Sequence, residues 1–471
     1  MLFNSLSFLV FFPITTLLYF LIKPKYQWLI LLLASCIFYM AFIPSYIFIL
    51  LFTIVVDYFA GIFIEKAIDI NKKRILWLSI FVNVGFLFVF KYYNFFVENI
   101  NQVFGFSSPI PYWYIIFPVG LSFHTFQAMS YTIEVYRGHQ KAEKHFGIYA
   151  LYVMFYPQLV AGPIERPQNL LPQFHLPKAF NQLYFFEGIR LIIWGLFKKM
   201  VIADRASIYV DAVYAQPNLY GSPSVLLACF LFSIEIYCDF SGYSDIALGT
   251  ARAMGFDLMV NFNRPYFATS IREFWARWHI SLSTWFRDYV YIPLGGNRQG
   301  LNKMYFYTLI IFGLSGLWHG ARWNFVVWGL LHSLFVVLQI FFERNIKFQL
   351  PNNQVFNIIK IFSTFILVSI IWVFFRATSL DQAFEILHKM VQNQGNLQLI
   401  VNSKLASFSS LSLLIILVAT AMMFVVESRF SPKLNELNQR SFIDIMITVL
   451  ALIFILCLGV FDNSSFIYFQ F

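Results

Sequence analysis

Residues 26–56, YQWLILLLASCIFYMAFIPSYIFILLFTIVV, contain no Asp, Glu, Lys or Arg. A helix needs roughly 20 apolar residues to cross the hydrocarbon of a bilayer. Inside lipid every backbone N–H and C=O must find its partner within the chain, so a run of this kind is helical. Its only turn signal is FIPS, 42–45. Further uncharged runs cover 1–22, 212–234, 323–342, 361–375, 405–426 and 445–461. Of 471 residues, 59% are hydrophobic and 12% charged, where soluble domains carry about 25% charged residues. The pattern predicts an all-α polytopic integral membrane protein with about 11–13 membrane helices, some short or re-entrant. One membrane-embedded domain over 1–471 is expected, with no sizeable soluble domain.

The first segment, FNSLSFLVFFPITTLLYFLI, lacks a basic stretch before it and a small-residue cleavage site after it. It reads as a span and not as a cleaved signal. Cys36, Cys229, Cys238 and Cys457 lie in or beside apolar runs without metal-ligand spacing. They read as small hydrophobes, and no metal site is expected. The net charge of +10 sits in short loops, where it sets topology, and does not point to nucleic acid. Lys23 and Lys25, EKAIDINKKR (65–74) and ESRFSPKLNELNQR (427–440) are basic loops, hence cytoplasmic. Both termini are then predicted extracytoplasmic. A long polar loop is expected at VQNQGNLQLIVNSK, 391–404.

The centre differs. FNRPYFATSIREFWARWHISLSTWFRDYVYIPLGGNR mixes aromatics with Arg264, Arg272, Arg277, Arg287 and Arg298. The spacing predicts a helix over 272–286, with Trp275, Trp278, Leu282 and Trp285 on one face and Arg272, Ala276, His279 and Ser283 on another. One or two interfacial or re-entrant helices fit this composition better than a plain span.

Ionisable groups at membrane depth are costly and point to function. LWHGARWNFVVW (317–328) places His319 and Arg322 among tryptophans and valines, and His279 lies in the central segment. EIYCDFSGYSDIALG (235–249) adds Glu235, Asp239 and Asp245, for which structural pairing with Arg252 or Arg264 is the expectation. Asp57, His124 and His332 read as satisfied buried groups. These residues alone admit two classes: a transporter with a polar midplane, or a membrane-embedded group-transfer enzyme with histidine as base. A transporter or a non-catalytic scaffold of a secretion complex stays open. Transporters of this size often show two related halves, and the sequence has no half-to-half similarity.

Several stretches together resemble the membrane-bound O-acyltransferase (MBOAT) superfamily, in the bacterial branch that O-acetylates alginate and peptidoglycan. They are FNSLSFLVFFPI, FPVGLSFHTFQAMSYTIEVYRG (117–138), YPQLVAGPIERPQNLLPQF (156–174), YCDFSGYSDIALG, FWARWHISLSTWFRDYVYIPLGGN, GLWHGARWNFVVWG and the closing FIYFQF. Two departures stand out: His124 where a tyrosine is common, and Arg322 where a small or polar residue is common. The second is expected to alter the electrostatics of the pocket.

The resemblance implies an MBOAT fold with a catalytic core over about 110–345 and an F-x-Y-x-x-F tail at 466–471. It implies an inner-membrane acyltransferase taking acetyl-CoA as donor from the cytoplasmic side, with no tightly bound cofactor. An extracytoplasmic SGNH-hydrolase-like partner would complete transfer to an envelope polysaccharide. His319 matches the superfamily's histidine, His279 a second histidine of the branch, and Tyr468 a tyrosine proposed to carry the acyl group. A desolvated histidine stays neutral and basic, and surrounding aromatics keep water from the thioester. Arg272 and Arg277 are candidate partners for the phosphates of acetyl-CoA. The bland alternative for Phe466, Tyr468 and Phe471 is an interfacial aromatic anchor.

Overall fold

The computed structural model describes residues 1–471 except 107, 161, 346–352, 393–394, 397–407, 430–441, 462–465 and 468–471. Among the described residues every regular element is helical. Six helices among the described residues are long and apolar enough to cross a membrane: Pro44–Lys66, Asp69–Phe104, Ser222–Ala253, Trp323–Asn345, Gln354–Arg376 and Ser410–Arg429. Leu6–Leu21 and Phe442–Leu458 are shorter apolar helices. Large apolar side chains stand fully outward on these elements, for example Leu6 at 78% and Phe81 at 74% exposure. Lipid, unlike water, accepts such a surface without cost. The protein is a multi-pass helical membrane protein. Most of the polar loop expected at 391–404, and residues 430–440 of the last basic loop, lie outside the described residues.

Two compact units emerge, Met1–Ile192 with Ser244–Met259, and Ile193–Tyr243 with Val260–Phe471. In the first, the helices Ile47–Lys66, Asp69–Leu87 and Leu121–Arg137 pack together. Their shared interior holds Asp57, fully buried. Ser79 Oγ donates to Asp57 at 2.6 Å and Asn83 Nδ2 at 2.8 Å, so Asp57 is a satisfied buried group, as its setting in the sequence suggested. Arg252 pairs with Glu187 at 3.0 Å and with Asp257.

In the second unit, the helices Leu301–His319 and Trp323–Asn345 form a tight hairpin. They approach so closely at Gly329 that a Cβ there would lie 2.1 Å from the Phe312 carbonyl oxygen. No side chain fits, which is why a glycine interrupts this apolar run. The expected helix over 272–286 is corrected: it is broken into Ile271–Arg277 and Ile280–Phe286. His279 between them has φ 43, a left-handed conformation rare for a residue with a Cβ. Trp275, Trp278, Leu282 and Trp285 are all buried as predicted. The second face fails, because the break turns His279 fully inward while the side chain of Arg272 stays 53% exposed.

Cys229 and Cys238 are buried, Cys36 is half-buried and Cys457 is exposed. The hydrophobic reading of the cysteines therefore describes interior packing for two of them and a lipid-type surface for the last.

Candidate active site

His319 is the last residue of the first hairpin helix. Gly320 follows because the Phe325 ring packs there; a Cβ would come within 2.2 Å of it. His319 is 4% exposed. Its wall is aromatic: Trp318 at 4.9 Å, Trp328 at 5.1 Å and Phe375 at 5.4 Å between ring centroids. Phe375 is placed by Asn324, whose amide donates to the carbonyls of Phe374 at 3.1 Å and Ala377 at 2.7 Å. Asn324 thus ties the hairpin to the end of the helix Gln354–Arg376. Arg322 is exposed, whereas His319 and the rings of its aromatic wall are buried.

His279 reaches the same place from the central segment. Its ring centroid lies 6.3 Å from that of His319 and 6.0 Å from that of Trp318. The left-handed turn that aims it is clamped on both sides. Ile280 donates its amide to the Asn261 carbonyl at 2.9 Å, Asn263 donates to the Arg277 carbonyl at 2.9 Å, and Ser281 Oγ donates to Asn261 Oδ1 at 2.6 Å. Strain of this kind costs on the order of 1–3 kcal/mol and persists only where surrounding bonds over-determine it. Asn261 and Asn324 were invisible to motif reading. A buried side-chain amide in an apolar stretch was the available signal, since such groups are kept only when they bond. His332 is a third buried histidine nearby, enclosed by Trp275 at 5.0 Å and Trp328 at 5.1 Å.

The carboxylates pair differently from expectation. Asp239 pairs with Lys199, at 2.5 Å, and not with Arg252 or Arg264. Arg264 donates instead to the backbone carbonyl of Glu427 at 3.3 Å. Arg272 is paired with Glu343 at 2.9 Å and Arg277 with Glu273 at 2.5 Å.

The end of the chain returns to this unit. Phe466 is fully buried and Ile467 nearly so. The Phe466 ring lies 4.3 Å from Tyr243 and 5.7 Å from Phe240. The Phe240 ring in turn lies edge-on to His279 at 4.7 Å. Tyr468 and Phe471 lie outside the described residues.

The two buried histidines thus share one aromatic surround, with Phe466 packed on Phe240 beside them. Residues 137–380 match the profile of the MBOAT, membrane-bound O-acyltransferase, family. The "Probable alginate O-acetylase" of Pseudomonas putida is 38% identical over 81% of this chain and 79% of its own length. The chain belongs to the membrane-bound O-acyltransferase family. This MBOAT is therefore an acyltransferase, and both histidines and the hairpin fall within the matched region. The peptidoglycan O-acetyltransferase of Helicobacter pylori is 34% identical over 84% of this chain and 80% of its own length. The teichoic acid D-alanyltransferase of Bacillus subtilis is 29% identical over 52% of this chain.

His279→Asn is the informative substitution at the second histidine, because asparagine tolerates left-handed backbone. The expected outcome is a loss of transfer of about tenfold or more, with thermal unfolding unchanged. Full activity in this variant assigns His279 to packing alone.

Proposed function

We propose that this MBOAT moves an acetyl group from acetyl-CoA, met at the cytoplasmic face of a bacterial inner membrane, to an envelope or secreted polysaccharide of the alginate or peptidoglycan kind. Both termini face away from the cytoplasm. The acyl group travels on Tyr468 and passes to an extracytoplasmic SGNH-hydrolase-like partner. The observation that carries this reading is the seat of Phe466 against Tyr243 and Phe240, with Phe240 touching His279. Tyr468 follows Ile467 in the chain. The relatives, an alginate O-acetylase and a peptidoglycan O-acetyltransferase by name, support the polysaccharide acceptor.

The chemistry balances. His319 takes the phenolic proton of Tyr468 as the oxygen attacks the thioester carbonyl. A C–O bond forms, the C–S bond breaks, and the departing thiolate of CoA recovers the proton. A phenol of pKa about 10 is close to a thiol of about 8.5, so the aryl ester keeps much of the transfer potential of the thioester. A hydroxyl of the partner then attacks that ester and regenerates the phenol. The aromatic wall keeps water from both esters.

Arg272 and Arg277 are the proposed partners of the donor's phosphates. Each now holds a carboxylate, Arg272 in an exposed pair and Arg277 in a half-buried one; exposed ion pairs are worth only about 0–1 kcal/mol, so a phosphate displaces Glu343 at small cost and competes with Glu273 for Arg277. Arg272→Glu and Arg277→Glu are expected to weaken donor binding about tenfold or more. Unchanged affinity in both moves the donor site elsewhere. The function itself is tested with purified protein and radiolabelled acetyl-CoA. Label is expected in the peptide that contains Tyr468; a protein that neither accepts label nor hydrolyses the thioester overturns the reading.

A further inference from the structure

The turn Phe197–Ala203 is π-helical, a rare form that is frequent at functional sites. It carries two consecutive buried lysines. Lys198 Nζ lies 3.3 Å from Glu427. Lys199 Nζ lies 2.8 Å from Asp204 and 2.5 Å from Asp239, with all three side chains 3% exposed. A buried ammonium persists only against compensating charge. One carboxylate would suffice, and here there are two. The second also binds elsewhere, since Asp239 Oδ2 accepts the backbone N–H of Ile467 at 2.7 Å. Hydrogen bonds to a charged acceptor are roughly twice as strong as neutral ones. Tyr243, one helical turn beyond Asp239 and so on the same face, holds the Phe466 ring. Just upstream, Val460 donates its amide to the Met200 carbonyl of the π turn at 3.0 Å, and Arg205 Nη2 donates to the Leu458 carbonyl.

We propose that Asp239, clamped by Lys199 and Asp204, is the docking residue of the C-terminal tail, and that its grip on the Ile467 amide sets the register that presents the following residue for transfer. Asp239 is a positioning residue: it acts on the tail and not on the acyl group. An apolar pocket reads a phenyl ring but does not distinguish Phe466 from Phe469. A charged acceptor at a fixed distance from that ring adds the missing constraint. The consequence for transfer rests on the acyl-Tyr468 reading, whereas the docking itself does not.

The test uses the full chain in lipid nanodiscs, with hydrogen exchange read by mass spectrometry at the Ile467 amide. Asp239→Asn leaves Lys199 and Asp204 as a one-to-one pair. Ile467→Pro deletes the donated N–H without touching the helices, and Ile467→Ala controls for the lost apolar side chain. Exchange is followed at Ile467 in Asp239→Asn and at the neighbouring tail amides in all three. Asp239→Asn and Ile467→Pro are expected to raise exchange about tenfold or more over wild type and to lose acyl label on Tyr468. Ile467→Ala should change both far less. Exchange in Asp239→Asn at the wild-type rate, or tail exchange in Ile467→Pro equal to that in Ile467→Ala, overturns the proposal. A wild-type tail that never carries acyl overturns the relay, and exchange alone then decides the docking.

Discussion

His319→Ala is expected to lower acyl transfer by about 10²–10⁴-fold, while the protein inserts and purifies as wild type. The imidazole stands at the end of a helix whose packing is supplied by its neighbours. Gly329 keeps the hairpin closed and Asn324 ties it to the carbonyls of Phe374 and Ala377. Removing the ring therefore leaves a small hole among Trp318, Trp328 and Phe375 without opening the hairpin. On the proposed mechanism the loss is that of the base, which the rings of Trp318, Trp328 and Phe375 do not replace. His279, 6.3 Å away between centroids, faces the same pocket from a strained turn and does not restore the rate. The measurement is polymer acetylation in cells together with label transfer by purified protein. Near-normal acetylation removes His319 from the catalytic role.

Tyr468→Phe is expected to lower polymer acetylation at least about a hundredfold, with the tail still docked. The substitution deletes one oxygen and keeps the ring, so an aromatic anchor survives it and an acyl carrier does not. Exchange at the Ile467 amide stays at the wild-type rate, since Asp239 and Tyr243 act on residues 466 and 467. Loss of acetylation with a docked tail is the signature of the relay. Normal acetylation with a docked tail would falsify the relay and leave the tail as an anchor. Phe466→Ala makes the complementary disturbance: it keeps the phenol and empties a fully buried ring site.

How much of this was legible in sequence differs residue by residue. The uncharged run 26–56 and its counterparts are sufficient for the membrane class, because a bilayer imposes one requirement, apolar side chains over a full crossing, that composition alone reveals. His319 and His279 stand out for the same reason in reverse: an ionisable group among tryptophans is costly wherever it lies. Periodicity then misleads in the centre. Residues 272–286 show helical spacing, yet the bonds from Asn261 and Asn263 break the helix and turn His279 inward. Spacing reports only neighbours on one element, and these clamps come from another segment.

Composition and motif thus determined the class of protein, the two histidines and the aromatic character of their surroundings. Tertiary structure alone decided that residues 40 positions apart share one pocket. It also decided that Asp239 pairs with Lys199 instead of a nearby arginine, and that its second oxygen holds the tail. The reason is physical. In a membrane protein both the lipid-facing and the buried sides of a helix are apolar, so hydrophobic patterning no longer marks the inner face. Which buried charge meets which is then set by helix packing across the chain, a long-range property that no local spacing contains.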